Sequence, residues 1–306
     1  MTTTGSGTQT VASAETKDGH PSQRRMVRFD WSKTPLHWVP DDAFSTHLIN
    51  VLHLLLPAGE RWFISVVTEA LPAVTDAELQ QAAAPFVQQE SWHAWAHTVV
   101  LDHLAAHGID TSAYTSKLEA NFARFGSARP NWPAPLRRFW LYRRLAVVAA
   151  IEHFTAVLGQ WVLQTRGLDH AGADPVMLDL LRWHGAEEVE HRSLVFDVFE
   201  HLSGSYLLRA LGMVEAAPQL ALWWLAGISY LMRHDPTLPE GTRPRWRDWL
   251  RAARSYRVPG PWLLLVAAPL RYMRPSHHPL AEAPTSLALD YLHRSPAATA
   301  AREAAR

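Results

Sequence analysis

The sequence predicts an all-α fold: a four-helix bundle with extra helices after it. Three observations carry that prediction. Four long stretches repeat apolar residues at helical spacing. Their ends carry helix punctuation, notably Asp76, Gly108 and the Asp174-Pro175 pair. Two of the stretches also share one four-residue pattern, Glu-x-x-His, at Glu90–His93 and Glu188–His191. At that spacing a carboxylate and an imidazole meet from consecutive helical turns.

Residues 1–25 are rich in Thr, Ser and Gly and lack an apolar signal core, so a disordered tail is expected. The bundle is expected over 26–204. After an extended lead-in with two Trp and two Pro, helix one starts near Ala43 and follows Leu48, Val51, Leu52 and Leu55. Pro57 and Gly59 predict a kink or break, which puts Glu60 at the start of a second piece ending at Pro72. Helix two runs from Asp76 to Gly108, with Pro85 inside it. A connector over 109–133 holds a short helix around Tyr114–Phe125. Helix three spans about Pro135 to Gly167. Helix four starts at Asp174-Pro175, and Leu180–Phe199 reads as one continuous helix that runs on to Gly204.

The chain then changes character. Residues 205–294 form an apolar and Arg/Trp-rich extension, expected to pack on the bundle or at a membrane surface. Ala210–Met232 is long enough to span a bilayer. Glu215, Pro218 and Gln219 argue instead for a helix covering the bundle. Arg243–Arg257 interleaves Arg with Trp246, Trp249 and Tyr256, the pattern of an interfacial amphipathic helix. Residues 295–306 are Ala-rich and expected to fray.

Composition narrows the chemistry. Formal net charge is zero, and the chain has no Cys but 17 His. Thiolate metal sites, disulfides and cysteine nucleophiles are excluded together. A metal here must be held by imidazole and carboxylate, which suits iron, manganese or zinc. Neutral charge and the lack of a recognition motif argue against nucleic acid. With no secretory signal, a cytoplasmic location is expected, with membrane association through the C-terminal third.

Glu60, Glu90, His93, Glu152, Glu188 and His191 all fall on core-facing stripes of their helices. A Glu from each of two helices plus a Glu-x-x-His from two others is the ligand set of ferritin-like dinuclear carboxylate proteins. Four such carboxylates without cations would repel one another and desolvate at high cost. The expectation is a dinuclear metal site, with Glu90 and Glu188 as bridges and Glu60 and Glu152 as terminal carboxylates. His184, one turn before Glu188, is a candidate seventh ligand. His184 and His97 are also candidates for orienting a ligand or moving a proton. Thr155, one turn after Glu152, either bonds a bound oxygen species or its own helix backbone. Glu187 points about 100° from Glu188 and is expected to pair with Arg at the surface. Glu190 is expected to be solvated.

The segments QESWHAWAH (89–97), EHFT (152–155) and HGAEEVEHRSLVFD (184–197) resemble the bacterial family of predicted metal-dependent hydrolases, from about Arg28 to Pro279. The order of His184, Glu188 and His191 is also similar to the p-aminobenzoate N-oxygenase family, whose members are di-iron oxygenases with one extra histidine. That second resemblance implies His184 as the extra ligand.

Two enzymatic readings follow. The preferred expectation is a non-haem di-iron enzyme with iron as the favoured metal, using dioxygen to oxidise a small apolar or lipid-like substrate. The alternative is a metal-dependent hydrolase using a metal-activated water. A non-catalytic metal-binding protein associated with membranes is a third reading. A homodimer fits any of them.

Overall fold

The computed structural model describes residues 25–304, and the tail expected over residues 1–25 lies outside them except for Arg25. Among the described residues the chain is all-α. Helix α1 (Ala43–Ala70) is capped by Asp42, whose carboxylate accepts from Ser45 N. It runs through Pro57 as one helix, so the expected break does not occur. Proline removes one backbone donor, but Pro57, Ala58 and Gly59 are all buried and held by packing. Glu60 therefore lies mid-helix rather than at a helix start.

A 3₁₀ turn (Leu71–Ala73) leads to α2 (Ala77–Ala106). Asp76 caps α2 by accepting from Glu78 N and Leu79 N. Gly108, at φ +88°, ends it in the left-handed conformation that glycine adopts without cost. The connector carries α3 (Ser112–Phe125). Helix α4 (Ala134–Gln164) follows and stops short of the expected Gly167. A single turn, α5 (Gly167–His170), precedes α6 (Pro175–His191).

The expected single helix through Phe199 is interrupted directly after His191. Helix α7 (Leu194–Leu202) starts afresh. The Arg192 guanidinium explains the break. It donates to the carbonyls of Val189 and Pro279, taking over a helix carbonyl that a backbone N–H would otherwise serve.

Helix α8 (Tyr206–His234) packs one side against two of the four predicted helices. Gly212 lets its backbone approach Ala146 of α4, and Gly227 seats it against Val51 of α1. Trp224 Nε1 donates to Leu48 O across the same contact at 2.9 Å. By length and composition alone, α4 and α8 are apolar enough to cross a membrane; α4 is mostly buried and α8 mostly is not. Helix α9 (Trp246–Arg254), a π-helical turn (Leu263–Ala267), α10 (Ala268–Tyr272) and α11 (Thr285–Arg294) complete the extension. Within the stretch expected to fray, α12 (Pro296–Ala304) is helical. Asp179 of α6 secures it by accepting from Tyr291 Oη, Ser295 Oγ and Ala297 N at 2.7–3.0 Å.

Two apolar clusters divide the core. One gathers Val51, Leu54, Ala58, Ala96, Ala186 and Val189 among others. The other gathers Phe63, Val66, Phe86, Val148 and Leu194. Glu60, Glu90, His93 and His191 fall in sequence between members of the two, so a polar layer lies between two apolar ones.

Helices α4 and α6 touch backbone to backbone at Gly159 and Gly185. A Cβ on Gly159 would strike the Gly185 carbonyl, which cannot yield as a flexible side chain does. Gly159→Ala is expected to destabilise the fold by about 1–3 kcal/mol, read from urea unfolding midpoints. An unchanged midpoint would show that this crossing is looser than described.

Candidate metal centre

Four helices deliver the polar layer. Helix α1 brings Glu60 and His53; α2 brings Glu90, His93 and His97; α4 brings Glu152; α6 brings His184, Glu187, Glu188 and His191. All are buried, none above 5% exposure. Among the described residues, two groups of four here could each hold a metal ion: Glu60, His93, His184 and Glu188; and Glu90, His93, Glu188 and His191. His93 and Glu188 belong to both, whereas Glu90 belongs to one. Glu152 adjoins the second group, with Oε2 3.2 Å from His191 Nδ1. The structure thus gathers all seven predicted ligand residues at one place.

Whether metal fits there can be judged from the orphaned atoms. Glu188 Oε1 lies 2.8 Å from His184 Nε2, 3.4 Å from His93 Nδ1 and 3.7 Å from His191 Nε2. Glu90 Oε1 lies 3.0 Å from His191 Nε2. Yet both carboxylate oxygens of Glu60, Glu90 and Glu152, together with His93 Nδ1, His184 Nε2 and both His191 nitrogens, have no hydrogen-bond partner. Buried polar atoms are almost always satisfied. Lone pairs converging without hydrogen-bond geometry are what ligands around a cation present, and the donor types suit iron, manganese or zinc.

The remaining ring nitrogens are fixed from behind. His93 Nε2 meets Glu187 Oε2 at 2.9 Å, which leaves Nδ1 for the centre. Glu187 Oε1 in turn accepts from Trp183 Nε1 and Arg25 Nη1, each at 3.0 Å. Arg25 also donates to Glu190 at 2.7 Å, and Gln89 Nε2 reaches Glu190 at 3.2 Å. Glu187 and Glu190 are therefore buried, not at the surface as sequence reasoning placed them. Arg25, counted with the tail, is their partner. His184 Nδ1 meets His97 Nε2 at 3.2 Å, and His97 Nδ1 meets His53 Nδ1 at 2.7 Å. His97 thus stands behind His184 rather than among the metal-facing atoms. Thr155 Oγ1 donates to Glu152 O at 2.9 Å, the helix-backbone bond that was its plainer reading.

Charge in the metal-free protein is balanced by protons. Burial, then the neighbouring charge of Glu188, pushes Glu152 up to about 8, and burial pushes Glu60 up to about 7. Burial opposes ionisation of Glu188 too, but His191 and His184 outweigh it and hold it well below its usual range. Burial likewise opposes charge on His93, yet its bond to Glu187 and the carboxylates of Glu188 and Glu90 nearby raise it to about 10. His191 is raised well above its ordinary value, as the Glu188 charge outweighs burial. His97 and His53 are pushed down by burial, then by the His184 charge, so both stay neutral.

Beside the centre lies a cavity of about 450 Å³, walled by apolar side chains such as Leu52, Phe154, Met213, Trp224, Trp249 and Leu264. It reaches His184 and Glu188, and Thr155 lines it. Two other metal-competent groups already have partners. Asp235 Oδ2 bonds both His37 and His47, at 2.6 and 2.7 Å, and the Glu282 carboxylate beside His153 and His277 pairs with Arg271 at 3.0 Å.

Sequence reasoning missed His53, Trp183 and Arg25, and gave Glu187 its Arg partner but not its place behind His93. A signal existed for two of them: His53 precedes Glu60 by seven residues, on the same stripe, and Glu187 follows Trp183 by one turn.

A family model described as predicted metal-dependent hydrolase matches residues 23–283, so the chain belongs to that family. No curated protein and no solved structure matches it. The family overturns the preferred expectation of a dioxygen-using di-iron oxidoreductase and supports the hydrolytic alternative. That expectation rested on likeness of ligand set, and carboxylate and imidazole ligands serve metal-activated water equally well.

Two predictions follow from this geometry. Glu187→Gln is expected to weaken metal binding about 10–100-fold, measured by competition with a chromophoric chelator. Metal uptake must also displace protons from the raised His93 and His191. The increase in Tm on metal addition is therefore expected to grow from about pH 6 to about pH 9, with proton release on binding. A pH-independent increase would mean that metal binds elsewhere.

Proposed function

We propose that this metal-dependent enzyme hydrolyses an ester or amide whose acyl part is long and apolar. The observation that carries the reading is the junction of cavity and centre: an apolar pocket reaches His184 and Glu188. Water adds across the acyl C–O or C–N bond, giving a carboxylic acid and an alcohol or amine. Glu60, Glu90, His93, Glu152, His184, Glu188 and His191 would hold two metal ions, with iron, manganese and zinc all compatible with the donors. When bound, such ions lower the pKa of water and polarise a carbonyl.

The chain's own residues supply the rest. The apolar wall takes the acyl chain and excludes bulk water from the reacting bond. Glu187, held by Trp183 and Arg25, aims His93 Nδ1 inward. Neutral His97 fixes which nitrogen of His184 faces the centre. The sequence offers no serine nucleophile with a triad, which leaves the metal-holding residues as the catalytic centre.

The test is elemental analysis of the purified protein together with an ester and amide panel of graded acyl length. About two metal ions per chain are expected. Hydrolysis should rise with acyl length until the cavity is filled and disappear after chelation. Glu90→Ala and His191→Ala should lose metal and activity together. Met213→Trp, which fills the cavity wall, should shift the preference to shorter chains. Full activity in metal-free protein, or a metal-loaded protein inert on the whole panel, would defeat the reading.

A further inference from the structure

We propose that the outer face of α8, with the Trp- and Arg-rich segment beside it, docks on an anionic lipid bilayer. Helix α8 is apolar on two sides. Gly212, Met213, Ala216, Gly227 and Leu231 are buried on the side facing α1 and α4. Leu207, Leu211, Val214, Pro218, Leu222 and Leu225 are exposed, Leu207 at 78% and Leu222 at 63%. Their steps of three and four residues align them in one stripe about 27 Å long. Soluble surfaces rarely leave so continuous an apolar stripe without a partner.

The stripe is continuous with the cavity mouth. Val214, Pro218 and Leu225 line the cavity together with Trp246 and Leu265 from the following segment. Those five residues are also exposed, so the cavity opens on this face. Trp262, one turn before Leu265, stands 71% exposed.

Charge identifies the partner. Residues 243–257 hold six arginines against one acid, Asp248. Arg243, Arg245, Arg247, Arg251 and Arg254 are exposed. On α9, Arg247, Arg251 and Arg254 form a stripe about 100° round the helix from Trp246. Aromatic side chains beside an apolar patch, with guanidinium groups at its rim, match the boundary between acyl chains and anionic headgroups. Because the opposite side of α8 is packed on α1 and α4, the contact is one-sided. It would admit an apolar molecule from the bilayer to the cavity without passage through water. The docking does not depend on the hydrolytic reading, and its test separates the two.

The test is flotation of the full chain with vesicles of phosphatidylcholine alone or mixed with phosphatidylglycerol, alongside hydrolysis of a short soluble ester without vesicles. The wild type is expected to float with the anionic vesicles, less so at high salt. Arg247→Gln with Arg254→Gln should lower partitioning about 25-fold, at about fivefold per arginine. Leu211→Asp with Leu222→Asp should abolish it. None of these four residues lines the cavity, so soluble-ester turnover should stay unchanged in both variants. No flotation of the wild type, or flotation indifferent to both double variants, would overturn the proposal. So would a wild type that is a stable dimer without vesicle binding and becomes monomeric in the Leu211/Leu222 variant, since the stripe would then be covered by a second copy.

Discussion

The structure is organised by a charge problem. Glu60, Glu90, Glu152 and Glu188 meet in a protein interior where each ionised carboxylate, taken alone, would cost several kcal/mol. The repulsion has two remedies, protons or cations. The raised pKa values of Glu60, Glu152, His93 and His191 describe the protonic remedy. The hydrogen-bond-free carboxylate oxygens describe its incompleteness. Protonated imidazoles face the carboxylates but do not satisfy their lone pairs, whereas a metal ion takes several lone pairs at once. Membership of a metal-dependent family and the local electrostatics therefore lead to the same requirement from independent starting points.

Such a cluster keeps its geometry only if its surroundings cannot relax around it. Apolar layers above and below deny the carboxylates water. The backbone contact of Gly159 with Gly185 sets the distance between the helices that carry Glu152 and His184. The chain Arg25–Glu187–His93 fixes one imidazole, and His53–His97–His184 fixes another. These two supports differ in kind. The first is anionic and raises the basicity of its histidine; the second is made of neutral imidazoles and sets a tautomer without adding charge.

Much of this was legible in the sequence, because helical spacing is short-range information. Glu90–His93, His184–Glu188–His191 and Glu152 announce themselves by period and polarity, and the structure brings them together. The capping residues Asp76, Asp174 and Gly108 also act where the sequence put them. What stayed hidden depends on distant partners. Glu187 and Glu190 look like surface residues until Arg25, some 160 residues earlier, is seen to bind both. The end of α6 at His191 is invisible locally, since it follows from Arg192 reaching carbonyls near residue 280. Pro57 misled in the opposite direction, because buried packing on both sides outweighed one lost backbone bond. The choice between oxygen and hydrolytic chemistry lay beyond ligand spacing altogether, for the same donors serve both.

The two metal-competent groups are not equivalent, and the asymmetry bears on how the site works. Only His184 and Glu188 among the cluster residues form part of the cavity wall. Glu90, His93 and His191 are fully buried behind them. The cavity therefore borders the Glu60–His93–His184–Glu188 group through two residues, and the group containing Glu90 and His191 through Glu188 alone. This gives the histidine beyond the usual ligand set a position with consequences. His184 stands where the apolar channel ends, one nitrogen toward Glu188 and the other held by His97. On the hydrolytic reading proposed above, the group with Glu90 and His191 would anchor Glu188 from its buried side, where His191 Nε2 lies 3.7 Å from Glu188 Oε1. The group with Glu60 and His184, bordered by the one histidine whose far nitrogen leads into a neutral imidazole pair, would then be where the reacting bond and the water meet.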